Sequence, residues 1–219
     1  GSKPLYLGLM FGAVTLLVYF FANFEQAVIG LLILRSSLDI FSGQQIPAIY
    51  AVGLNLLALI YAAALLLTRQ TVRTDGFWWF FAGWVMLQLL WPILCILGGL
   101  GFGTEVLGDN IREWMRLFSW LMVYLLVMQL KDRIHPEKII SLLFISLIAP
   151  VTVALVQLFV PDSILPVFLR TYHGDRINGT LGHPNTFATF LILFIGLSYW
   201  RESRSSYRLP FLLLLSLLA

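Results

Sequence analysis

Residues 46–67 read IPAIYAVGLNLLALIYAAALLL, with no charged side chain among them. A helix rises ~1.5 Å per residue, so about 20 apolar residues cross the ~30 Å hydrocarbon core of a bilayer. A helix also satisfies its own backbone hydrogen bonds, which lipid cannot do. This stretch therefore predicts a membrane-spanning helix. Similar runs flank it on both sides, at 5–22, 26–42, 77–97, 113–130, 139–160 and 185–200. An eighth begins at Leu209 and reaches Ala219, which is too short to cross by itself. The expected fold is all-α: a polytopic transmembrane bundle of seven to eight spans, forming one domain over 1–219. The short eighth run adds the expectation that this is the early part of a longer bundle.

The composition agrees. Of the 219 residues, 59% are apolar and 11% charged, against ordinary shares of about 45–50% and about 25%. A water-soluble domain cannot hide so much apolar surface, nor stay dispersed with so little charge. Soluble enzymes, disordered chains and disulfide scaffolds are excluded. Fourteen Lys and Arg against eleven Asp and Glu leave +3, too little for a nucleic-acid footprint. The lone Cys95 allows no internal disulfide.

Orientation follows from where Lys and Arg collect. Arg69 and Arg73 lie in loop 68–76, Lys131, Arg133 and Lys138 in 131–138, and Arg201, Arg204 and Arg208 in 201–208. These three loops alternate correctly with the spans and are expected on the cytoplasmic side. The segments near 43–45, 98–112 and 161–184 then face outward. That outer side still holds Arg35, Arg112, Arg116, Arg170 and Arg176. Arginine grips phosphate oxygens in pairs and keeps its proton, so five of them suggest a site for a phosphorylated or diphosphate headgroup. The plainer alternative is ion pairing with Asp39, Glu105, Asp109, Glu113 and Asp175, or snorkelling to the interface.

The loop 161–184 reads PDSILPVFLRTYHGDRINGTLGHP and is the most chemically varied stretch. Tyr172, His173, Asp175, Asn178 and His183 join its arginines, and Gly174, Gly179 and Gly182 permit tight turns. Pro184 suits the start of the next helix, where its missing N–H is no loss. His173, His183 and Asp175 are the one set to weigh as metal ligands, and their spacing does not fit. No cofactor or metal is expected. Gly99, Gly101 and Gly103 lack the strand that a dinucleotide fingerprint requires.

The segment from Arg176 through Gly179, His183, Pro184 and Asn185 to Ala188 resembles the O-antigen ligase and polymerase superfamily. Members show an arginine, a short glycine-containing stretch, then a Pro-Asn pair opening a membrane helix. Leu34-Arg35-Ser-Ser-Leu38-Asp39 is similar to a second stretch many of them carry after an early span. The resemblance implies a multi-pass glycosyltransferase of the bacterial inner membrane, with loop 161–184 on the periplasmic or exterior side. It implies an undecaprenyl-diphosphate-linked glycan donor, a lipid or glycan acceptor, and metal-free chemistry. Arg176 would bind the diphosphate, with Arg170, Arg116, Arg112 and Arg35 as further candidates. Gly179, Pro184 and Asn185 would shape the loop. The family's essential histidine sits on a large loop well beyond this motif, so neither His173 nor His183 is assigned that role and the catalytic residue stays open. The same features leave two other expectations: a transporter or flippase for an anionic or lipid-linked solute, and a non-catalytic membrane subunit.

Overall fold

A computed structural model describes residues 3–44, 46–98, 106–131, 133–171 and 176–201. Every apolar run read from the sequence before residue 202 is helical. The order is α1 (Lys3–Ala22), α2 (Phe24–Leu38), α3 (Ile46–Leu67), α4 (Gly76–Gln88), α5 (Leu90–Ile96), α6 (Leu107–Leu130), α7 (Pro136–Leu143), α8 (Ile148–Phe159) and α9 (Pro184–Arg201). Short 3-10 turns occupy Asp39–Gln44, Phe144–Leu147 and Val167–Leu169. No strand occurs among the described residues. Tyr172, His173, Gly174 and Asp175, the 99–105 glycines with Glu105, and Arg204, Arg208 and the Leu209–Ala219 run lie outside the described residues.

Among the described residues, three stretches are long and apolar enough to cross a membrane: Ile46–Leu67, Gly76–Ile96 and Pro136–Phe159. A fourth is available if α1 and α2, broken at Asn23, count as one span. Only 22%, 17% and 22% of the three are buried inside the protein, so most of their apolar surface is left for lipid. Among the described residues this marks a membrane protein with three to four helices apolar enough to span by length and composition. The other runs read from the sequence are shorter or more charged. Asp109, Arg112, Glu113 and Arg116 occupy the first turns of α6 and shorten its apolar part. The apolar part of α9, Pro184–Tyr199, is shorter than 18 residues.

Prolines set the breaks. Pro92 has no N–H to give Gln88, and α4 gives way to α5 at Leu89. Pro150 likewise cannot bond Ser146, and the helix tightens into the 3-10 turn Phe144–Leu147 just before it.

The chain divides into two compact units, Gly1–Glu25 with Ile49–Arg133, and Gln26–Ala48 with Ile134–Ala219. In the first, α4 and α5 pack on α6. Phe24 stacks on Tyr61 with ring centroids 4.0 Å apart, and Phe20 meets both edge-on. Arg133 caps this group, 5.2 Å from the Phe24 ring and 3.3 Å from the Tyr61 hydroxyl. Asp75 caps α4, accepting from the Trp78 amide at 2.7 Å and the Tyr124 hydroxyl at 2.7 Å. Gln129 pairs with both backbone groups of Arg73, accepting at 3.1 Å and donating at 2.8 Å. In the second unit, Leu147, Ala154, Leu181, Phe187, Leu191 and Phe194 form the core.

Candidate functional site

The second unit holds the loop that the sequence marks as most reactive, and a small set of buried polar groups fixes its backbone. The chain of causes begins at Pro150. Its missing N–H leaves the Ser146 carbonyl without a helical partner, and the Ser36 hydroxyl donates to that carbonyl at 2.9 Å. Ser36 stands in the last turn of α2, where carbonyls lack intrahelical partners. Its own carbonyl accepts from the Thr180 hydroxyl at 2.7 Å. Ser36, Ser146 and Thr180 are all buried, so these bonds replace ones that water would have made.

Gln157 makes the second set of ties. It is buried at the end of α8, and its amide spans both ends of the 170–178 segment. Its Nε2 donates to the carbonyls of Leu169 (3.1 Å) and Arg170 (3.3 Å), and to Asn178 Oδ1 (3.1 Å). Its Oε1 accepts from the amides of Asn178 (3.1 Å) and Gly179 (3.0 Å). One side chain thus closes the neck of a loop that carries Arg170 and Arg176.

Gly179 completes the neck. Its φ is +56°, a region costly for any residue with a Cβ. A Cβ there would lie 2.7 Å from the Pro150 carbonyl oxygen and 2.9 Å from Phe187 Cε2. Glycine lets the loop pass tightly over the proline kink. Pro184 then opens α9, as its sequence position suggested. The His183 carbonyl accepts from Phe187 N at 3.1 Å, and its Nδ1 accepts from the Asn185 amide at 3.1 Å. His183 therefore acts as the helix cap. Gly179, Pro184 and Asn185 all lie in this turn and helix start.

The arginines divide into two kinds. Arg35 pairs with Asp39 four residues on. Arg112 pairs with Asp109 at 3.3 Å, and Arg116 with Glu113 at 2.9 Å. Three of the five therefore follow the plainer alternative of local ion pairing. Arg112 and Arg116 are 75% and 57% exposed, and such pairs are worth only ~0–1 kcal/mol. They are neutralised without being locked. Arg170 is exposed, with its Nε donating to the Leu165 carbonyl at 3.1 Å. Arg176 is exposed and forms no ion pair among the described residues. Arg170 and Arg176 sit at the neck that Gln157 closes, Arg112 and Arg116 belong to the other unit, and Arg35 immediately precedes Ser36.

A cleft of about 390 Å³ opens beside the neck, lined by Gln157, Phe159, Asp162, Thr171 and Ile177 among others. Thr171 donates to Asp162 twice, from its amide at 3.1 Å and from its hydroxyl. These bonds, the hydroxyl's first, hold the Asp162 carboxyl below the usual carboxylate range. The nearby Arg170 charge acts in the same direction. No group of three or more His, Cys, Asp or Glu among the described residues could hold a metal.

Gln157, Asp162, Thr171 and the Ser36–Thr180 relay were not singled out from the sequence. One signal was available for Gln157: an uncharged amide in the apolar run IAPVTVALVQLF, at a depth where a polar group must find a partner. The relay had none. No known protein family, curated protein or solved structure matches this chain.

Proposed function

We propose that this chain belongs to a membrane glycosyltransferase of the O-antigen ligase type, acting on an undecaprenyl-diphosphate-linked glycan at the outer leaflet of the bacterial inner membrane. The observation that carries the reading is the exposed Arg176 three residues before a glycine neck that only glycine fits. The Arg-x-x-Gly…Pro-Asn pattern thus falls on a loop whose backbone is held in place. The count of seven crossings belongs to the same proposal. So does a polymerase of the same superfamily, which would differ only in the acceptor.

In this reading an acceptor hydroxyl attacks the anomeric carbon, the bond to the diphosphate breaks, and the diphosphate leaves with the electron pair. The acceptor's proton passes to a base that the described residues do not identify. Charge grows on the leaving group, so fixed arginine donors stabilise the transition state more than the ground state. Arg176 takes this role first, since Arg35, Arg112 and Arg116 already face acidic neighbours and the charge of Arg170 acts on Asp162.

The test is transfer of labelled glycan by the purified protein, with native mass spectrometry of retained lipid. Arg176→Ala should lower transfer by about a hundredfold or more, the cost of losing one donor to a developing oxyanion. Arg176→Lys should also be impaired, because a point charge does not replace the planar fork. Unchanged transfer and unchanged lipid retention in both variants would end the proposal. The break between α1 and α2 at Asn23 supports a second reading, a flippase of a lipid-linked solute, since transporters use interrupted helices. Movement of lipid between leaflets without bond change would mark that case.

A further inference from the structure

The end of the first unit where α3 stops and α4 begins collects basic side chains that the diphosphate reading does not use. Loop 68–75 carries Arg69 and Arg73, and the turn after α6 carries Lys131 and Arg133, against Asp75 and Asp132. Gln129, in the last turn of α6, bonds both backbone groups of Arg73, so the two stretches meet at one end of the unit. Arg133 is held there without a carboxylate. Its Nη2 donates to the Tyr61 hydroxyl at 3.3 Å, and its Cζ lies 5.2 Å from the centre of the Phe24 ring. Arg69, Lys131 and Arg133 are exposed and form no ion pair among the described residues. Glu25, next to Phe24, forms none either. Asp75 accepts with one oxygen from the Trp78 amide and with the other from the Tyr124 hydroxyl. Asp132 lies outside the described residues.

Two further observations bear on what these cations meet. Arg69 has φ +56°, a left-handed conformation that glycine adopts at far less cost. The chain turns there to end α3, with Gln70 N donating to the Leu65 carbonyl at 2.8 Å. Strained positions of this kind cluster where a side chain binds something. Aromatic side chains mark the depth. Phe77, Trp79 and Phe80 open α4 and are 58%, 64% and 72% exposed. The Trp79 indole donates at 3.1 Å to the hydroxyl of Thr74, in the basic loop itself. Such rings settle at the level of lipid headgroups.

We infer that this end of the unit binds an anionic phospholipid: Arg133 grips the headgroup phosphate, and Arg69 and Lys131 add positive charge around it. A guanidinium has five N–H donors, and Tyr61 takes one, which leaves four for phosphate oxygens. A zwitterionic headgroup brings its own ammonium, which the same cations repel. Free phosphate gives the exposed rings nothing to pack on, whereas the glycerol and upper acyl chain of a lipid do. The site is independent of the glycan reading, since Arg170 and Arg176 belong to the other unit.

The experiment is native mass spectrometry of the purified chain in a neutral detergent, titrated with phosphatidylglycerol. Phosphatidylcholine and inorganic phosphate serve as comparisons. Phosphatidylglycerol should be retained in preference to phosphatidylcholine. Arg133→Gln should lower that retention about fivefold, which corresponds to ~1 kcal/mol for one basic residue at a membrane surface. Arg69→Gly should lower it similarly while melting no lower than the wild type, because glycine suits φ +56°. This second variant decides the matter if Arg133→Gln does not fold. Equal retention of the two lipids overturns the inference. So does retention that Arg69→Gly or a folded Arg133→Gln leaves unchanged, or displacement of the lipid by inorganic phosphate at equal concentration. A loss of phosphatidylglycerol in Arg176→Ala as large as in Arg133→Gln would overturn this site alone. Arg133-dependent retention without glycan transfer would leave it standing.

Discussion

Replacing Gly179 by alanine tests the neck of the loop most directly. Two independent costs apply. Placing a Cβ at φ +56° costs ~1–2 kcal/mol, and forcing it against packed atoms costs a further ~1–3 kcal/mol. The contacts at 2.7 Å to the Pro150 carbonyl oxygen and 2.9 Å to the Phe187 ring are too short to persist. Neither neighbour yields easily, since Pro150 and Phe187 are themselves fully buried. The total is about 2–5 kcal/mol, and for a chain of this size 1 kcal/mol moves the melting temperature by ~2–4 °C, so a drop on the order of 10 °C is expected. Gly182, three residues on, has nothing within 4 Å of its Cβ position and serves as the control. Gly182→Ala should stay within ~0.5 kcal/mol of the wild type. The assay is thermal unfolding in detergent, with hydrogen exchange of the Asn178 and Gly179 amides as the local readout. The reasoning fails if Gly179→Ala melts with the wild type, or if both variants fall equally.

Two further outcomes follow from the same structure. Gln157→Leu keeps the bulk but leaves the half-buried amide of Asn178 and the buried amide of Gly179 without an acceptor. At ~1–3 kcal/mol each, the variant should lose stability and its 176–187 peptides should exchange faster, while α4–α6 peptides stay protected. Unchanged exchange would show that the amide is not the clasp. Asp75 bonds the Trp78 amide and then the Tyr124 hydroxyl, which together hold its carboxyl below the usual value of about 3.9. A folded pKa below the unfolded one gives stability that is present above about pH 4 and lost as pH falls through the folded value. Asp75→Asn keeps a capping side chain but cannot ionise, so the melting difference from the wild type should be largest at neutral pH and shrink below about pH 4. A difference that stays constant down to pH 3 would refute the assignment.

The two levels of reading differ in a regular way. Long apolar runs were legible as helices because composition alone requires it: a stretch such as 46–67 has no way to place its backbone in lipid except as a helix. Pro184 at the start of α9 was legible too, since proline's missing N–H restricts where it can stand. The ion pairs of Arg35, Arg112 and Arg116 were open as an alternative from spacing, because partners three or four residues apart share a helix face. The number of crossings was less legible. The runs 5–22 and 26–42 place a break near Asn23 but do not tell whether they form one bent span, nor how far the charged first turns of α6 eat into its apolar length.

What only the tertiary structure decided is how the loop after α8 is held. Ser36 meets Ser146 across 110 residues and Thr180 meets Ser36 across 144. The proline kink that frees the Ser146 carbonyl also lies under Gly179. The sequence displays each of these residues as an ordinary small or polar side chain. Hydrogen bonds and close contacts depend on distances of 3 Å or so between atoms, and distance in space is set by how helices pack, which local periodicity does not encode.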